Sequence, residues 1–148
     1  MNKVFSVAEY ILSKTGPLTS MKLQKLVYYS QAWHLAWTEK SLFSEQIEAW
    51  RDGPVVPALF KHHKGHFRVA KGFFAHKLKD QELFKLSKDE KNVIDRVISY
   101  YGKKDPHWLS QLTHLEDPWK NAWKDSSTVN HRSSVISHQS IFEYYSSL

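Results

Sequence analysis

Residues Thr19 to Thr38 read TSMKLQKLVYYSQAWHLAWT, and on a helix they put apolar side chains on almost every side. Leu23, Leu26, Val27, Ser30 and His34 recur at the spacing of one helical stripe. Tyr28, Tyr29, Trp33, Leu35 and Trp37 then carry apolar surface round most of the remaining circumference. A helix covered on all sides belongs at the centre of its fold, with other elements packed round it. Thr19 is placed to cap its first turn.

Working outward, Val4 to Lys14 sets Val4, Ala8, Ile11 and Leu12 on one face with Phe5 beside them, which predicts a first helix. Gly16-Pro17 stops it, because glycine tolerates a left-handed cap and proline cannot continue a helix. After Thr38 the period changes. Phe43, Glu45, Ile47 and Ala49 alternate with more polar neighbours, with Trp50 on the opposite row, which predicts an extended segment over residues 43–50. Asp52-Gly53-Pro54 is a turn signal, and Pro57 is placed to open a short helix to about Lys64. Residues 65–85 admit two readings: Gly65, Gly72 and the Lys/His content fit a loop, whereas Phe67, Val69, Phe73 and Phe74 fit a short strand over 67–74 or burial in place.

Ser87-Lys88-Asp89-Glu90 has capping-box spacing, and Val93, Ile94, Val97, Ile98 and Tyr101 form a stripe, so a helix runs from Ser87 to Tyr101 and ends at Gly102. Asp105-Pro106 and Asp117-Pro118 each pair a cap with proline at a first helical position, predicting two more short helices. Ser126 to Ser134 is polar and reads as loop; Ile136 to Tyr145 reads as a last helix. The expectation is a mainly α protein, one compact helical domain over residues 1–148, with a short extended segment around 43–50 and room for another at 67–74.

Composition narrows the function classes. Cysteine is absent, which excludes disulfides and thiol catalysis and fits a reducing compartment. No apolar run approaches the roughly 18 residues of a membrane span, and Glu9 interrupts any secretory apolar core near Met1. A cytoplasmic protein without membrane insertion is expected. The net charge is +6, and it is concentrated: Lys61, Lys64, Arg68, Lys71, Lys77 and Lys79 lie in a stretch with four histidines and no Asp or Glu. Such a patch suits an acidic protein surface, the phosphates of a nucleic acid, or plain solvation.

The catalytic checklist stays empty. There is no GxSxG, no P-loop and no dinucleotide-binding glycine pattern, and Glu48 and Asp52 need not pair for acid/base work. His62, His63 and His66 invite a metal hypothesis, since His62 and His66 have the spacing of one helix face, but Gly65 weakens that helix and no HExxH glutamate, cysteine or nearby carboxylate completes the shell. No enzyme activity, metal or cofactor is expected. Recognition positions are better represented. Trp50 reads as a packing residue with Arg51 beside it suited to a bidentate contact with a carboxylate. His114 and Trp119 frame a polar groove or serve as helix-end and core residues, and Lys22 and Lys25 edge the apolar stripe of the central helix.

Taken in order, Leu23-Gln24-Lys25-Leu26 with Tyr28-Tyr29, Glu48-Ala49-Trp50 with Gly53-Pro54-Val55-Val56, and Thr113-His114 with Pro118-Trp119 resemble the Panacea domain, the SocA-like antitoxin or GepA-like domain of bacteria and their phages. The resemblance covers about Val4 to Tyr145. It implies a mostly helical antitoxin whose cognate protein toxin is encoded beside it and is neutralised by direct binding. At least one relative looks like a proteolysis adaptor that delivers its toxin to a ClpXP protease, so the resemblance also allows that role and a ClpXP-type protease partner here. The family motif offers no catalytic residues. Lys25, Tyr28, Trp50, Arg51, His114 and Trp119 carry over as candidate partner-binding positions, and the basic stretch is not a family signature. The alternative reading is a nucleic-acid-binding transcriptional regulator of its own operon. It finds little support in the pair of helices joined by Gly16-Pro17, since the second is too apolar to serve as a recognition helix.

Overall fold

The computed structural model of the protein describes residues 3–78, 85–128 and 134–148. In chain order they form α1 (Lys3–Thr15), β1 (Leu18–Thr19), α2 (Ser20–Thr38), β2 (Glu48–Trp50), β3 (Gly53–Val55), α3 (Pro57–His63), β4 (Arg68–Val69), a 3-10 turn at Ala75–Lys77, α4 (Lys88–Tyr101), α5 (Pro106–Leu115), α6 (Asp117–Thr128), β5 (Ser134–Val135) and α7 (His138–Ser146). The protein is mainly helical, as the periodicity predicts.

α2 is the axis of the molecule. Every residue from Leu23 to Ala32 is buried, with α1, α4, α5, α7 and β3 packed round it. Thr19 caps it by accepting from the Lys22 N–H at 3.1 Å. Two glutamines on α2 act as clamps for extended chain. The Gln24 side chain accepts from the Val56 N–H at 2.9 Å and donates to the Val56 carbonyl at 3.2 Å. Two turns on, Gln31 accepts from the Leu42 N–H at 2.6 Å and donates to the Phe43 carbonyl at 2.7 Å. Each amide gives the backbone one donor and one acceptor, as a neighbouring strand would, and so satisfies backbone groups buried against a helix.

The strand is shorter than the extended segment that the alternation of residues 43–50 predicts. Only Glu48–Trp50 is strand; Leu42, Phe43 and Ile47 are buried in irregular chain instead. β2 is the middle strand of a three-stranded sheet, with β3 on one side and β5 on the other. In the antiparallel β2–β3 hairpin Trp50 pairs with Gly53 and Ala49 with Pro54, so Arg51-Asp52 is the turn and Gly53-Pro54 already belongs to the strand. Pro54 is tolerated there because β3 is an edge. β5 falls where the polar composition predicts loop; its Ser134 pairs with Ala49. Of the 67–74 region, Arg68–Val69 is strand and pairs with Leu18–Thr19, while Phe74 is buried in place. That segment is tied down by Glu9 of α1, whose two carboxylate oxygens accept from the N–H groups of Gly72 and Phe74 at 2.8 and 2.9 Å.

Helix ends follow local chemistry. Ser87 and Glu90 form both arms of a capping box on α4, and Asp105 accepts from the His107 N–H at 2.7 Å to start α5. α6 begins at Asp117 itself, one residue earlier than a cap at that position predicts. Beneath α7 lies a buried polar cluster. Glu116 Oε1 accepts from the hydroxyls of Tyr29 and Tyr145, each at 2.7 Å, and the Tyr145 hydroxyl lies 3.0 Å from that of Tyr28. Burial raises the Glu116 pKa, although both tyrosines oppose the shift by bonding the charged form.

Candidate functional site

α2, α5 and α6 converge on the Arg51-Asp52 turn. Its carbonyls are held from two sides: the Trp119 indole N–H of α6 donates to the Trp50 carbonyl at 2.7 Å, and the Ser110 hydroxyl of α5 donates to the Asp52 carbonyl. Gly53 sits at φ +124°, and a Cβ there would stand 2.5 Å from Lys25 Cε and 2.9 Å from Thr113 Oγ1. Only glycine meets both demands, the positive φ and the close approach of a lysine stem.

Lys25 is therefore not a surface lysine at the edge of α2. It is 1% exposed, and its Nζ donates to the Pro54 carbonyl at 3.2 Å. Desolvation pulls its pKa from 10.5 down to about 8, with the negative charge of Asp52 opposing that fall. Beside it opens a cavity of about 340 Å³, walled by Met21, Lys25, Trp50, Val55, Phe60 and His63, with Arg51 and Asp52 also on its lining. Trp50 is half-buried and meets Phe60 edge-on, ring centroids 4.8 Å apart. His63 Nε2 lies 2.9 Å from the Gln24 amide nitrogen and accepts from it. Burial lowers the His63 pKa, which favours the neutral ring.

Of the six candidate positions, three line this one cavity: Lys25, Trp50 and Arg51. Arg51 is exposed, and its only ion pair among the described residues is a loose one of 3.9 Å to Asp52. Two more stand behind the turn. His114 stacks on Trp119 with ring centroids 4.0 Å apart; Trp119 is buried and His114 half-buried. The His114 Nε2 is buried without a hydrogen-bond partner among the described residues. Desolvation lowers its pKa, partly opposed by the Arg51 backbone. These two support the turn rather than line the cavity. The sixth, Tyr28, is bonded to Tyr145 in the core and, unlike Lys25, is not on the lining of this cavity.

Sequence reading missed Phe60, and it named Gln24 only within a family block and His63 only as a metal candidate, neither as a residue of this cavity. The signal for Phe60 and His63 was present in the apolar face of α3, but nothing local said that α3 would lie against Trp50. α3 ends at His63, so His62 and His66 do not share a helix face; their rings pack on Phe5 and Phe73 instead. Among the described residues no group of three His, Asp or Glu side chains stands together as a metal-binding set.

The basic stretch borders the same face. Lys61 and Lys64 flank the cavity residue His63, and the Phe67 carbonyl accepts from the N–H of Ser20, another cavity residue, at 2.9 Å. Lys61, Lys64, Arg68, Lys71 and Lys77 are all exposed, with Phe67, at 76% exposed, among them; Lys79 lies outside the described residues. A second hollow of about 450 Å³ lies between Trp33, Trp37, Tyr100, Tyr101 and Glu116. There Arg96 already covers the Trp37 ring at 4.1 Å.

The family described as Antitoxin SocA-like, Panacea domain has a model that matches residues 23–120, more than half of the chain. That span starts in α2, includes the whole hairpin and ends in α6, so it contains every residue of the turn and its supports. Among curated proteins and among solved structures nothing matches the chain.

Proposed function

The chain belongs to the SocA-like antitoxin family of Panacea domains, and from that premise we propose that it neutralises a cognate protein toxin by stoichiometric binding, using the face built on the Trp50–Gly53 turn. The observation that carries this reading is the convergence of Lys25, Trp50 and Arg51 on one cavity whose turn is fixed by α5 and α6. A rigid turn bearing an aromatic and an arginine loses little conformational freedom on docking, and Trp and Arg are the residues that most often dominate an interface. The binding is proposed without catalysis. A specific complex would bury about 1,200–2,000 Å² in total.

The toxin is proposed to be the product of the adjacent gene. Co-expression of the two, read by growth and by copurification, tests this. Rescue of growth with a stable complex is the expected result. Rescue without a complex would shift the mechanism to delivery of the toxin to a ClpXP-type protease. A harmless neighbour that does not copurify would remove the toxin reading.

One observation favours a second reading, nucleic-acid binding in control of the protein's own operon: the exposed run of Lys61, Lys64, Arg68 and Lys71. Against a helix-turn-helix, α2 is buried from Leu23 to Ala32 and cannot enter a groove. Salt-dependent operator binding above the non-specific level would sustain this reading. Among the described residues no helix is long and apolar enough to cross a membrane.

A further inference from the structure

Of the buried polar side chains on the cavity lining, Gln24, Lys25 and His63, one has bonding capacity to spare. Gln24 uses its carbonyl on Val56 N–H and its amide on the Val56 carbonyl and His63. The His63 nitrogen that faces it is occupied by the same contact. Lys25 differs. Its ammonium has three N–H donors, and the Pro54 carbonyl at 3.2 Å is its one hydrogen-bond partner among the described residues. Asp52 acts on it through space but makes no ion pair with it within 4.0 Å. A buried ammonium with donors unused is unfavourable until an anion meets it. The fold nevertheless shapes a glycine turn round this side chain.

The rest of the lining says what body the anion has. Besides Ser20 and the exposed, loosely paired Arg51 and Asp52, the lining has Met21, Trp50, Val55 and Phe60, whose apolar and aromatic surface suits a carbon skeleton rather than a hydrated inorganic ion. A volume of about 340 Å³ sits near the lower end of the roughly 300–1,000 Å³ typical of ligand sites. It accommodates a side chain or two, not a folded domain. Outside, Arg51 is exposed at the lining, and Lys61 and Lys64 follow on α3 and its end with no acidic residue from there to Lys77.

We propose that this cavity receives an acidic side chain carried on an exposed segment of the partner protein, its carboxylate meeting the Lys25 ammonium and its apolar neighbours packing on Trp50 and Phe60. The identity of that partner as a toxin rests on the antitoxin reading above; the carboxylate chemistry of the site does not. Arg51, Lys61 and Lys64 draw the acidic segment in from outside.

The test uses two probes of one shape, 3-phenylpropionate and its neutral amide, 3-phenylpropanamide, titrated into the full chain. NMR follows the Trp50 indole N–H and the Lys25 side chain. The carboxylate is expected to bind at least about tenfold tighter than the amide, with shifts centred on Lys25 and Trp50. Lys25→Met should abolish the preference. Equal binding of the two probes, or no shift at Trp50 with either, overturns the proposal on wild-type protein alone, whether or not the variant folds. A preference that survives in a folded Lys25→Met overturns it too. Neither probe requires a toxin. Growth rescue without a carboxylate preference would remove this proposal and leave the antitoxin reading standing. A preference without rescue would support the carboxylate site while the toxin reading falls.

Discussion

Lys25 and Tyr28 stand one turn apart on α2, and the structure gives them opposite roles. Lys25 reaches the cavity lining, whereas Tyr28 is locked to Tyr145 in the core. Tyr28→Ala is therefore expected to lower stability by about 3–5 kcal/mol, as truncating a buried aromatic does. Trp50→Ala should instead weaken partner binding by about 2 kcal/mol or more. Thermal melts and calorimetric titration separate the two outcomes. Lys25 also makes a pH prediction. Its folded pKa of about 8 lies below the unfolded value of 10.5. Between those values the unfolded chain holds more protons, so the lysine's destabilising effect fades as pH rises. Denaturant unfolding of wild type and Lys25→Met should show the wild type gaining roughly 3 kcal/mol on the variant from pH 8 to 10.5. A gap that stays constant with pH would show that the ammonium is solvated in the folded state. Using the variant as reference cancels the buried tyrosines, whose raised pKa values work in the opposite sense above pH 10.

At the level of elements, α2 holds extended chain through side-chain amides, and each clamp can be removed alone. Gln31→Leu keeps most of the volume but leaves the Leu42 N–H and the Phe43 carbonyl without their partner. Each orphaned buried group costs about 1–3 kcal/mol, so a drop in unfolding free energy of that order per group is expected. Glu116, at the end of α5, makes a different case. Its raised pKa means the folded state favours the protonated form, so wild-type stability declines as pH rises from the unfolded carboxylate value through the raised one. Glu116→Gln keeps an oxygen for Tyr29 and Tyr145 and carries no charge. It should gain on wild type as pH goes from acid to neutral, measurable by urea midpoints across that range. A variant that loses ground there would mean that the ionised carboxylate is the form the tyrosines require.

Across the whole molecule, charge is segregated. Lys61, Lys64, Arg68 and Lys71 project beside the cavity face with no acidic residue among them. If an acidic partner docks there, this field acts on the rate of encounter more than on the lifetime of the complex. The double variant Lys61→Glu/Lys64→Glu should therefore slow association with the copurified partner at low salt, with dissociation little changed. Stopped-flow or surface-binding kinetics at two ionic strengths would read this. An association rate that stays the same at low salt would remove steering as the role of the patch.

Local chemistry alone determined a good deal here. The all-round apolar cover of Thr19 to Thr38 placed a central helix, Ser87 and Glu90 set a capping box, and Gly16-Pro17 set a helix end, because periodicity, caps and glycine or proline backbone limits act within a few residues. The family blocks also stood in the sequence in order. Tertiary structure decided what periodicity cannot carry. β2 is three residues long, and its neighbours Gly53–Val55 and Ser134–Val135 are strand only because they meet it. Tyr28 and Lys25 sit on one helix with similar sequence surroundings, yet Tyr145 from the far end of the chain buries the first. A hairpin folded over Gly53 encloses the second and gives it a shifted pKa. Burial and desolvation depend on which distant atoms arrive, and a sequence window contains none of them.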